Sequence, residues 1–399
     1  MSEKFYRNRL TWLAYLILAL YSYFLNIIGP ITPFLKDELK LSYTVSSLHY
    51  SAFAVGILVV GLAGHRVIEG LGRWRSIWIG AFGMSLGAVL LMVGKTPVIT
   101  IGAAFLMGLV GSLILATIPA VISDQYQGEQ RSVALSEANT ICSLLAISAP
   151  LMVGLFARYL NDWGLALGIA AICPIFLWIG FGKIIPPQPT STQEIKSQSG
   201  ARLPGRYWMF WFALVLSVAI EFCMISWSAD YLENGLGMLK VDAAQAVSLF
   251  FAGMVLGRLI ASLMVRRFSA RSLVTASLLL ACVGFLVFWK TNLVLLGLIG
   301  LFLTGLGVAS LYPLIISLAI DSANGLSTEA SSRATLASGA GILILPLILG
   351  RLADAAGIRQ AYGVVILLFI GNLLLIQFTK NRSPIQQPVI EQITHHTRR

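Results

Sequence analysis

The sequence predicts an all-α integral membrane protein with twelve transmembrane helices, arranged as two six-helix bundles related by a pseudo-twofold axis. Its composition, its long apolar runs and an internal repeat support this prediction. Of the 399 residues, 57% are hydrophobic and 11% are charged, whereas soluble domains are about 25% charged. The mean hydropathy of +0.83 agrees, because so much apolar surface suits a bilayer. The net charge of +11 does not favour nucleic acid as a partner, since Lys and Arg lie in short segments between apolar runs.

The spans follow from run length, because a helix needs about 20 residues to cross the hydrocarbon core. Residues 184–206 are rich in Pro, Ser and Gln, which is typical of a linker. The predicted domains are a bundle over 1–183, a cytoplasmic linker over 184–206, a bundle over 207–380 and a polar tail over 381–399. The predicted spans are 10–34, 46–68, 75–94, 97–123, 131–158, 163–183, 207–234, 242–265, 271–289, 293–321, 327–354 and 359–379.

The distribution of Lys and Arg predicts that both termini are cytoplasmic, because positive residues favour that side of a membrane. With the first residues inside, 19 of the 28 Lys and Arg residues fall on the cytoplasmic side and 8 fall outside, while Arg258 lies within a span. The apolar run from Leu10 is too long for a cleavable signal peptide, so we expect it to be retained as a helix. We expect a monomer surrounded by lipid, in a bacterial inner membrane.

No pattern in the sequence indicates enzymatic chemistry or a bound cofactor. The four cysteines lie inside apolar segments and lack the spacing of a metal or redox site. The nucleotide-binding pattern G-x-x-x-x-G-K-[ST] does not occur. We therefore expect no enzyme activity, no cofactor, no metal and no ATP-driven pumping by this chain.

An internal repeat links the two halves of the sequence at a shift of 196 residues. Each matching pair falls at an equivalent depth in an equivalent predicted helix. Six helices per half make the repeat parallel, with its axis along the membrane normal. Two such bundles can rock about a central site, although two bundles that never move are the alternative. The matching pairs are Gly61 and Gly257, Arg75-Ser76 and Arg271-Ser272, Gly111 and Gly307, Pro150 and Pro346, and Gly154 and Gly350.

The segment between the second and third spans reads GLAGHRVIEGLGRWR over residues 61–75. It resembles the loop motif of the major facilitator superfamily, which runs from Gly through Asp-Arg and Gly to basic residues. Glu69 is the acid nearest to the motif's Asp. The resemblance implies secondary transport and a loop that takes part in gating. The predicted gating residues are Gly61, Gly64, Arg66, Glu69, Arg73 and Arg75.

Three further segments resemble the fucose-permease-like branch of that superfamily, whose members are sugar:proton symporters. IEFCMISWSADYL (220–232) has the branch's Glu, Trp and Tyr-Leu in helix seven, and SLFFAGMVLGRLIAS (248–262) has its Gly-Arg in helix eight. The first helix, LYSYFLNIIGPITPFL (20–35), resembles the branch's run into Gly-Pro. Asn139, ahead of Pro150, is placed as in the branch. Where branch members often use an acid in helix one, this sequence has Asn26.

Glu221 is the strongest functional candidate, because it lies near the middle of the seventh span. A carboxylate at that depth costs about 2.5–3.5 kcal/mol and must be protonated, paired or in contact with water. Proton coupling and substrate binding are the functional interpretations, and a neutral packing residue is the alternative. Arg258 stays charged and needs a partner. It either pairs with Glu221, binds an anionic substrate or anchors the cytoplasmic helix ends.

Other polar or aromatic residues at membrane depth are weaker candidates. Trp227 and Tyr231 follow Glu221 on the seventh span, and either contact substrate or belong to an interfacial aromatic belt. Tyr312, before Pro313, marks a predicted kink and is a candidate for a cavity wall. Asn26 and Asn139 lie on helices that would flank a central cavity. Near the cytoplasmic ends of helices four and five, Asp124, Arg131 and Glu137 predict a surface salt-bridge cluster.

The favoured function is a secondary active transporter that moves one small solute by alternating access, with a proton coupled through Glu221. The resemblance favours a sugar or similar polar metabolite, recognised by Asn, Gln, Tyr and Glu side chains. Efflux of a hydrophobic compound is the alternative, and it predicts a cavity lined by Met and Phe. A membrane receptor or scaffold that transports nothing is the third interpretation.

Overall fold

The computed structural model describes residues 6–186, 203–265, 267–323 and 326–379. These residues form helices joined by short turns, and a five-residue π-helical stretch, Tyr231–Gly235, continues the seventh helix. The helices are α1 (Arg9–Leu39), α2 (Tyr43–Leu71), α3 (Arg73–Val93), α4 (Pro97–Gln125), α5 (Gly128–Tyr159), α6 (Leu165–Phe181), α7 (Gly205–Asp230), α8 (Lys240–Met264), α9 (Ala270–Lys290), α10 (Val294–Val308), α11 (Leu311–Asp321), α12 (Ser327–Ala356), α13 (Ile358–Ala361) and α14 (Val364–Phe378).

These helices make twelve passes, since α10 with α11 and α13 with α14 each form one pass. In the described part of the chain, eleven passes are long and apolar enough to cross a membrane, and α6 is a shorter apolar helix. The predicted fold class is confirmed: two six-helix bundles of a multi-pass membrane protein. The linker over 184–206 lies mostly outside the described residues, although α7 begins within it at Gly205. The tail over 381–399 lies outside them entirely.

Two faces of the molecule are named here by the chain ends. The terminal face carries the beginning of α1 and the end of α14, and the distal face carries the end of α1 at Leu39 and the beginning of α2 at Tyr43. Helix α1 runs five residues past the predicted end of the first span, and an αL residue, Lys40, closes it. Lys36 therefore lies inside a helix, where the sequence had placed it in an outer loop.

The internal repeat is visible in contacts between helix backbones. A Cβ at Gly108 of α4 would overlap the carbonyl oxygen of Phe53 on α2. In the second bundle, a Cβ at Gly305 of α10 would overlap the carbonyl oxygen of Phe250 on α8. Small residues permit such close crossings in membranes.

These two crossings correct the predicted alignment. Phe53 and Phe250 are 197 residues apart, as are Gly108 and Gly305. The shift of 196 is therefore one residue short in these helices, because it matched glycines that occupy neighbouring positions. Near the distal end of the fifth and eleventh passes, Gly154 packs on Gln245 of α8 and Gly350 packs on Ser47 of α2. The two glycines are 196 residues apart and their partners 198, so these two contacts are similar without being in exact register.

The tenth pass is broken, as the Tyr312-Pro313 sequence predicts. Helix α10 ends at Val308 and α11 begins at Leu311. Proline has no N–H, so Pro313 cannot donate to the carbonyl of Ala309 one turn earlier. The break therefore lies at Ala309, whose carbonyl loses its helical hydrogen bond.

The predicted salt-bridge cluster at the terminal face is wrong in its pairings. Asp124 pairs with Arg73, at 2.6 Å, and Arg131 instead donates to the side chain of Gln127 at 2.8 Å. Glu137 accepts from Arg7 Nε at 2.7 Å, and this hydrogen bond raises the pKa of the Arg7 guanidinium above its usual value. The reason is local: Arg131 lies in the first turn of α5, where its guanidinium turns back to the Tyr126 carbonyl, at 3.2 Å, and to Gln127.

Candidate functional site

The two bundles are joined at their distal ends by polar contacts between helices of opposite bundles. The carboxylate of Asp354, near the end of α12, accepts hydrogen bonds from the backbone N–H groups of Tyr43 and Thr44 at 2.7 and 2.8 Å. It thereby caps the first turn of α2, whose amide groups have no partner within the helix. Further contacts there join Lys36 and the Tyr43 hydroxyl to Asp230, Lys240 to Asp37, and Arg158 to Asp242. Deeper in the bundles, the Ser51 hydroxyl donates to the carbonyl of Leu343.

Helices α1 and α7 cross with their backbones in contact. A Cβ at Gly29 would overlap the carbonyl oxygen of Ile225. The hydroxyl of Tyr50, from α2, accepts a hydrogen bond from the Gly29 N–H at 2.9 Å. Its ring packs edge-on against Phe222, with centroids 5.9 Å apart. This crossing therefore closes the centre of the molecule toward the distal face.

Glu221 lies on the terminal side of this crossing. It precedes Ile225 by one turn, so it occupies the same face of α7 about 6 Å closer to the terminal face. The residue is partly buried, and none of the described residues donates a hydrogen bond to it or forms an ion pair with it. Arg258 is near enough to interact with it electrostatically.

Arg258 reaches across from α8 of the second bundle to α5 of the first. Its Nη1 donates to the Ser143 hydroxyl at 2.9 Å, yet the residue is exposed. Side chains of a helix tilt toward its N-terminus, and α8 begins at the distal face. The guanidinium is therefore directed from the terminal half of α8 toward the membrane centre.

A polar stripe on α5 continues from Ser143 toward the terminal face. Its members recur at helical spacing on the face that reaches α8, and those nearest the terminal face are exposed. A face that points at the other bundle and is nevertheless exposed shows that the bundles diverge there. The stripe consists of Ser136, Asn139, Thr140 and Ser143.

Asn26 lies near this stripe but is bound within the first bundle. It precedes Gly29 by three residues on α1 and is 7% exposed. Its amide donates to the carbonyl of Ser22 at 2.8 Å, and the Ser22 hydroxyl donates to the carbonyl of Cys142 on α5 at 2.9 Å. Asn26 is therefore bonded within α1, and Ser22 makes the contact that joins α1 to α5.

Trp227 and Tyr231 are both fully buried. In this conformation neither side chain is accessible to a solute. The indole of Trp227 donates to the carbonyl of Pro346 at 3.1 Å and its ring packs against Tyr43. The Tyr231 hydroxyl donates to the carbonyl of Trp289 at 2.7 Å. These two residues pack the distal side, so the structure does not bring them together with Glu221.

Tyr312 is half-buried beside the break in the tenth pass. Its hydroxyl accepts a hydrogen bond from the Ser338 hydroxyl on α12 at 3.4 Å. The contact joins two passes of the second bundle. A role for Tyr312 in a cavity wall stays a prediction.

The fold and this arrangement can be compared with known proteins. The family model described as "Major Facilitator Superfamily" matches residues 14–247 and 210–396. The chain belongs to the Major Facilitator Superfamily. The two matches together reach from the first pass to beyond the last.

Relatives of this facilitator cover it almost completely at low identity. "Protein TsgA homolog" of Yersinia enterocolitica serotype O:8 / biotype 1B is 23% identical over 393 residues, which are 94% of this chain and 97% of the relative. The same named protein of Yersinia pestis (strain Pestoides F) is 23% identical over 397 residues, with the same coverage.

Solved structures of transporters share the fold of this facilitator. A bacterial homolog of the human lysosomal transporter Spinster, in an inward-facing and unoccupied conformation, has a TM-score of 0.76 at 15% identity and covers 96% of this chain and 100% of its own. A mutant of the nucleoside transporter NupG has a TM-score of 0.76 at 13% identity and covers 93% and 98%. At these identities the likeness shows the fold alone.

The predicted gating loop of this facilitator is mostly helix. Helix α2 continues to Leu71, and the Gly72 N–H donates to the Ile68 carbonyl at 2.8 Å, so the helical ladder runs to the very end. Gly72 alone reverses the chain, with a φ of 78° that favours glycine. Four predicted gating residues, Gly61, Gly64, Arg66 and Glu69, therefore lie on α2, and Arg73 and Arg75 begin α3. Their part in gating stays a prediction.

Sequence reasoning missed the distal contacts. Lys36 and Lys240 are among the eight residues that the charge distribution places outside, and the sequence assigned no role to Asp37 or Asp230. The opposite charges at the ends of α1, α7 and α8 were the feature of the sequence that could have indicated ion pairs between these helices. Sequence alone does not say that these ends meet across the two bundles.

Proposed function

We propose that this facilitator is a secondary active transporter that moves a sugar or a similar small polar metabolite across a bacterial inner membrane by alternating access. One observation carries the proposal. Polar residues of both bundles, Arg258 with Ser143 and Glu221 nearby, lie between the bundles on the open side of the α1–α7 crossing. With both termini in the cytoplasm, the conformation is closed toward the outside and open toward the cytoplasm.

Alternating access is proposed because the bundles are in contact at the distal face and separated toward the terminal face. On the distal side the bundles are held by ion pairs and by the backbone contact of Gly29 with Ile225. On the terminal side the stripe on α5 is exposed. Rocking the bundles about the centre would break the distal contacts and cover the stripe, which is how a parallel repeat exchanges access between two faces.

Glu221 is the proposed proton site. Its carboxyl group lies at membrane depth on a partly buried residue and has no hydrogen-bond partner among the described residues. An ionised carboxylate is costly there, whereas the protonated form is not, so the proton is a suitable ligand. When the bundles rock, the surroundings of Glu221 change, and proton binding can follow the conformational cycle.

The polarity of the space favours a polar solute over a hydrophobic one. The exposed groups between the bundles include the amide of Asn139, the hydroxyl of Thr140 and the Arg258 guanidinium. The large aromatic residues Trp227 and Tyr231 are packed away from it. A hydrophobic compound would leave these polar groups without partners. The resemblance to fucose-permease-like symporters points the same way.

The proposal is tested by transport and by conformation in the same preparation. Purified protein in proteoliposomes is given a panel of labelled sugars and polar metabolites with an inward-directed pH gradient. In a cysteine-free background, spin labels at positions 95 and 291 report the distance between the bundles at the distal face. We expect at least one solute to accumulate and to change that distance. A receptor or scaffold would show no flux for any solute, and an efflux pump would respond to hydrophobic compounds instead.

A further inference from the structure

We propose that the solute carries an oxyanion, a carboxylate or a phosphate group, and that Arg258 binds it. The inference rests on the proposed transport function and narrows its substrate from polar metabolites in general to anionic ones. It would separate this chain from transporters of neutral sugars, which the sequence resemblance suggests.

The first argument is that most N–H donors of Arg258 have no partner among the described residues. A guanidinium stays charged and presents five N–H donors in a planar fork, which matches the two oxygens of a carboxylate or phosphate. In the described structure one of these donors is bound, to the neutral hydroxyl of Ser143. No described acidic side chain lies within salt-bridge distance of Arg258. Most of the fork is therefore available on an exposed side chain between the bundles.

The second argument is charge balance. A charged residue inside a membrane span is normally paired with an opposite charge or a group of carbonyls. Glu221 is near enough to interact electrostatically with Arg258 but does not form an ion pair with it. If Glu221 holds a proton, no described residue supplies Arg258 with a counter-charge. A solute oxyanion supplies that charge, whereas a neutral sugar does not.

The third argument comes from the α5 stripe, three of whose members already use a donor within the helix. The Ser143 hydroxyl donates to the Asn139 carbonyl at 2.8 Å, the Asn139 amide donates to the Leu135 carbonyl at 3.0 Å, and the Thr140 hydroxyl donates to the Ser136 carbonyl at 2.9 Å. The stripe therefore offers a solute mainly neutral acceptor oxygens, with one amide N–H of Asn139 and the Ser136 hydroxyl as neutral donors. These groups suit solute hydroxyl groups, whereas Arg258 is the charged donor that suits an oxyanion. The site therefore fits a hydroxylated compound with one acidic group.

The test compares matched pairs of probes that differ in one acidic group. The pairs are glucose with gluconate, galactose with galacturonate, ribose with ribose 5-phosphate, and glycerol with glycerol 3-phosphate. Each is added to the purified full-length protein at constant ionic strength, and the melting temperature is measured. A ligand that binds the folded state raises this temperature by mass action. We expect at least one acid to raise it while its neutral counterpart does not.

Two substitutions of Arg258 and a matched control complete the design. In Arg258→Gln the effective acid should bind at least about tenfold more weakly, since a charged hydrogen bond is lost, and Arg258→Lys should lose less. Arg267→Gln removes the same charge from an exposed position just beyond α8 and should bind as the wild type does. A monodisperse elution profile shows that each variant is folded.

Three outcomes would overturn the inference: equal stabilisation by the neutral sugar, an acid effect that survives in Arg258→Gln, or no effect of any acid. In each case Arg258 would be an anchor between α8 and α5. Failure of the inference is distinct from failure of the proposed function. A neutral sugar that is accumulated and changes the distal distance would refute the anion site while leaving transport intact.

Discussion

Lys36 and Asp230 form an ion pair between the two bundles, with Nζ and Oδ2 2.5 Å apart and the Asp230 side chain fully buried. The other carboxylate oxygen accepts hydrogen bonds from the Tyr43 hydroxyl at 3.1 Å and from the Asn234 amide at 2.8 Å. The Lys36 ammonium also lies 4.0 Å from the centre of the Tyr43 ring. The charges are therefore satisfied in the state that is closed at the distal face.

Removing one partner of this pair should open the distal face. Asp230→Asn leaves the Lys36 charge buried without a counter-charge, and breaking a buried pair in this way costs about 3–5 kcal/mol. Because the pair bridges the bundles, the cost falls on the distal-closed state and shifts the population toward the open one. The spin-label distance between positions 95 and 291 should lengthen.

Two controls separate this effect from a general loss of stability. Lys36→Met combined with Asp230→Leu replaces the pair by apolar side chains, which is often neutral, and should restore the closed distance. Asp37→Asn removes the more exposed partner of Lys240 and should cost only about 0–1 kcal/mol. An unchanged distance in Asp230→Asn would contradict the assignment of the pair to distal closure.

A methyl group at Gly29 should also disturb the closed state. It would overlap the Ile225 carbonyl oxygen, and backbone atoms cannot move aside as a flexible side chain can. Overpacking of this kind costs about 1–3 kcal/mol, so Gly29→Ala should lengthen the distal distance or lower the melting temperature. Gly102→Ala is the matched control, because nothing lies near its added methyl. It should raise stability by up to about 1 kcal/mol. Equal behaviour of the two variants would refute a tight α1–α7 crossing.

The passes could be predicted from the sequence because a span is recognised from the hydropathy of its own residues, without knowledge of tertiary contacts. The end of α1 was placed five residues early, since Lys36 and Asp37 look like loop residues until their partners in the other bundle are known. The one-residue difference in the repeat shift has a similar origin. Identical glycines at neighbouring positions align in a sequence, whereas only backbone contacts show which of them are equivalent.

The candidate site was predictable in part for the same reason. Glu221 and Arg258 are charges within apolar spans, so their cost in lipid singles them out. The environments of Trp227 and Tyr231 could not be predicted, because both follow Glu221 on the same pass and the sequence does not show at which depth that pass is packed against other helices. The α1–α7 crossing lies between them and Glu221, and that crossing depends on the contact of two bundles that are far apart in sequence.

The ion pair between Arg73 and Asp124 should stabilise the terminal end of the first bundle. Arg73 is 7% exposed and lies 2.6 Å from Asp124, whereas Arg75, two residues on, is exposed. Arg73→Gln should lower stability by about 1–3 kcal/mol, as expected for a lost hydrogen bond to a charged group. Arg75→Gln should change it by less than about 0.5 kcal/mol. Melting temperatures of the two purified variants provide the comparison, and equal values would show that the pair adds nothing.

Glu221→Gln should uncouple transport from the proton gradient. The substitution keeps the shape and removes the group that takes up a proton, so an imposed pH gradient should no longer drive accumulation. Exchange of labelled for unlabelled solute needs no net proton movement and should continue.

Glu233→Gln is the matched control on the same pass. Its carboxylate lies 3.5 Å from Lys240 at the distal end, away from the space between the bundles, so coupling should persist. If Glu221→Gln still accumulates solute against the gradient as the wild type does, the coupling proton binds elsewhere. If it abolishes exchange as well, Glu221 binds the solute itself.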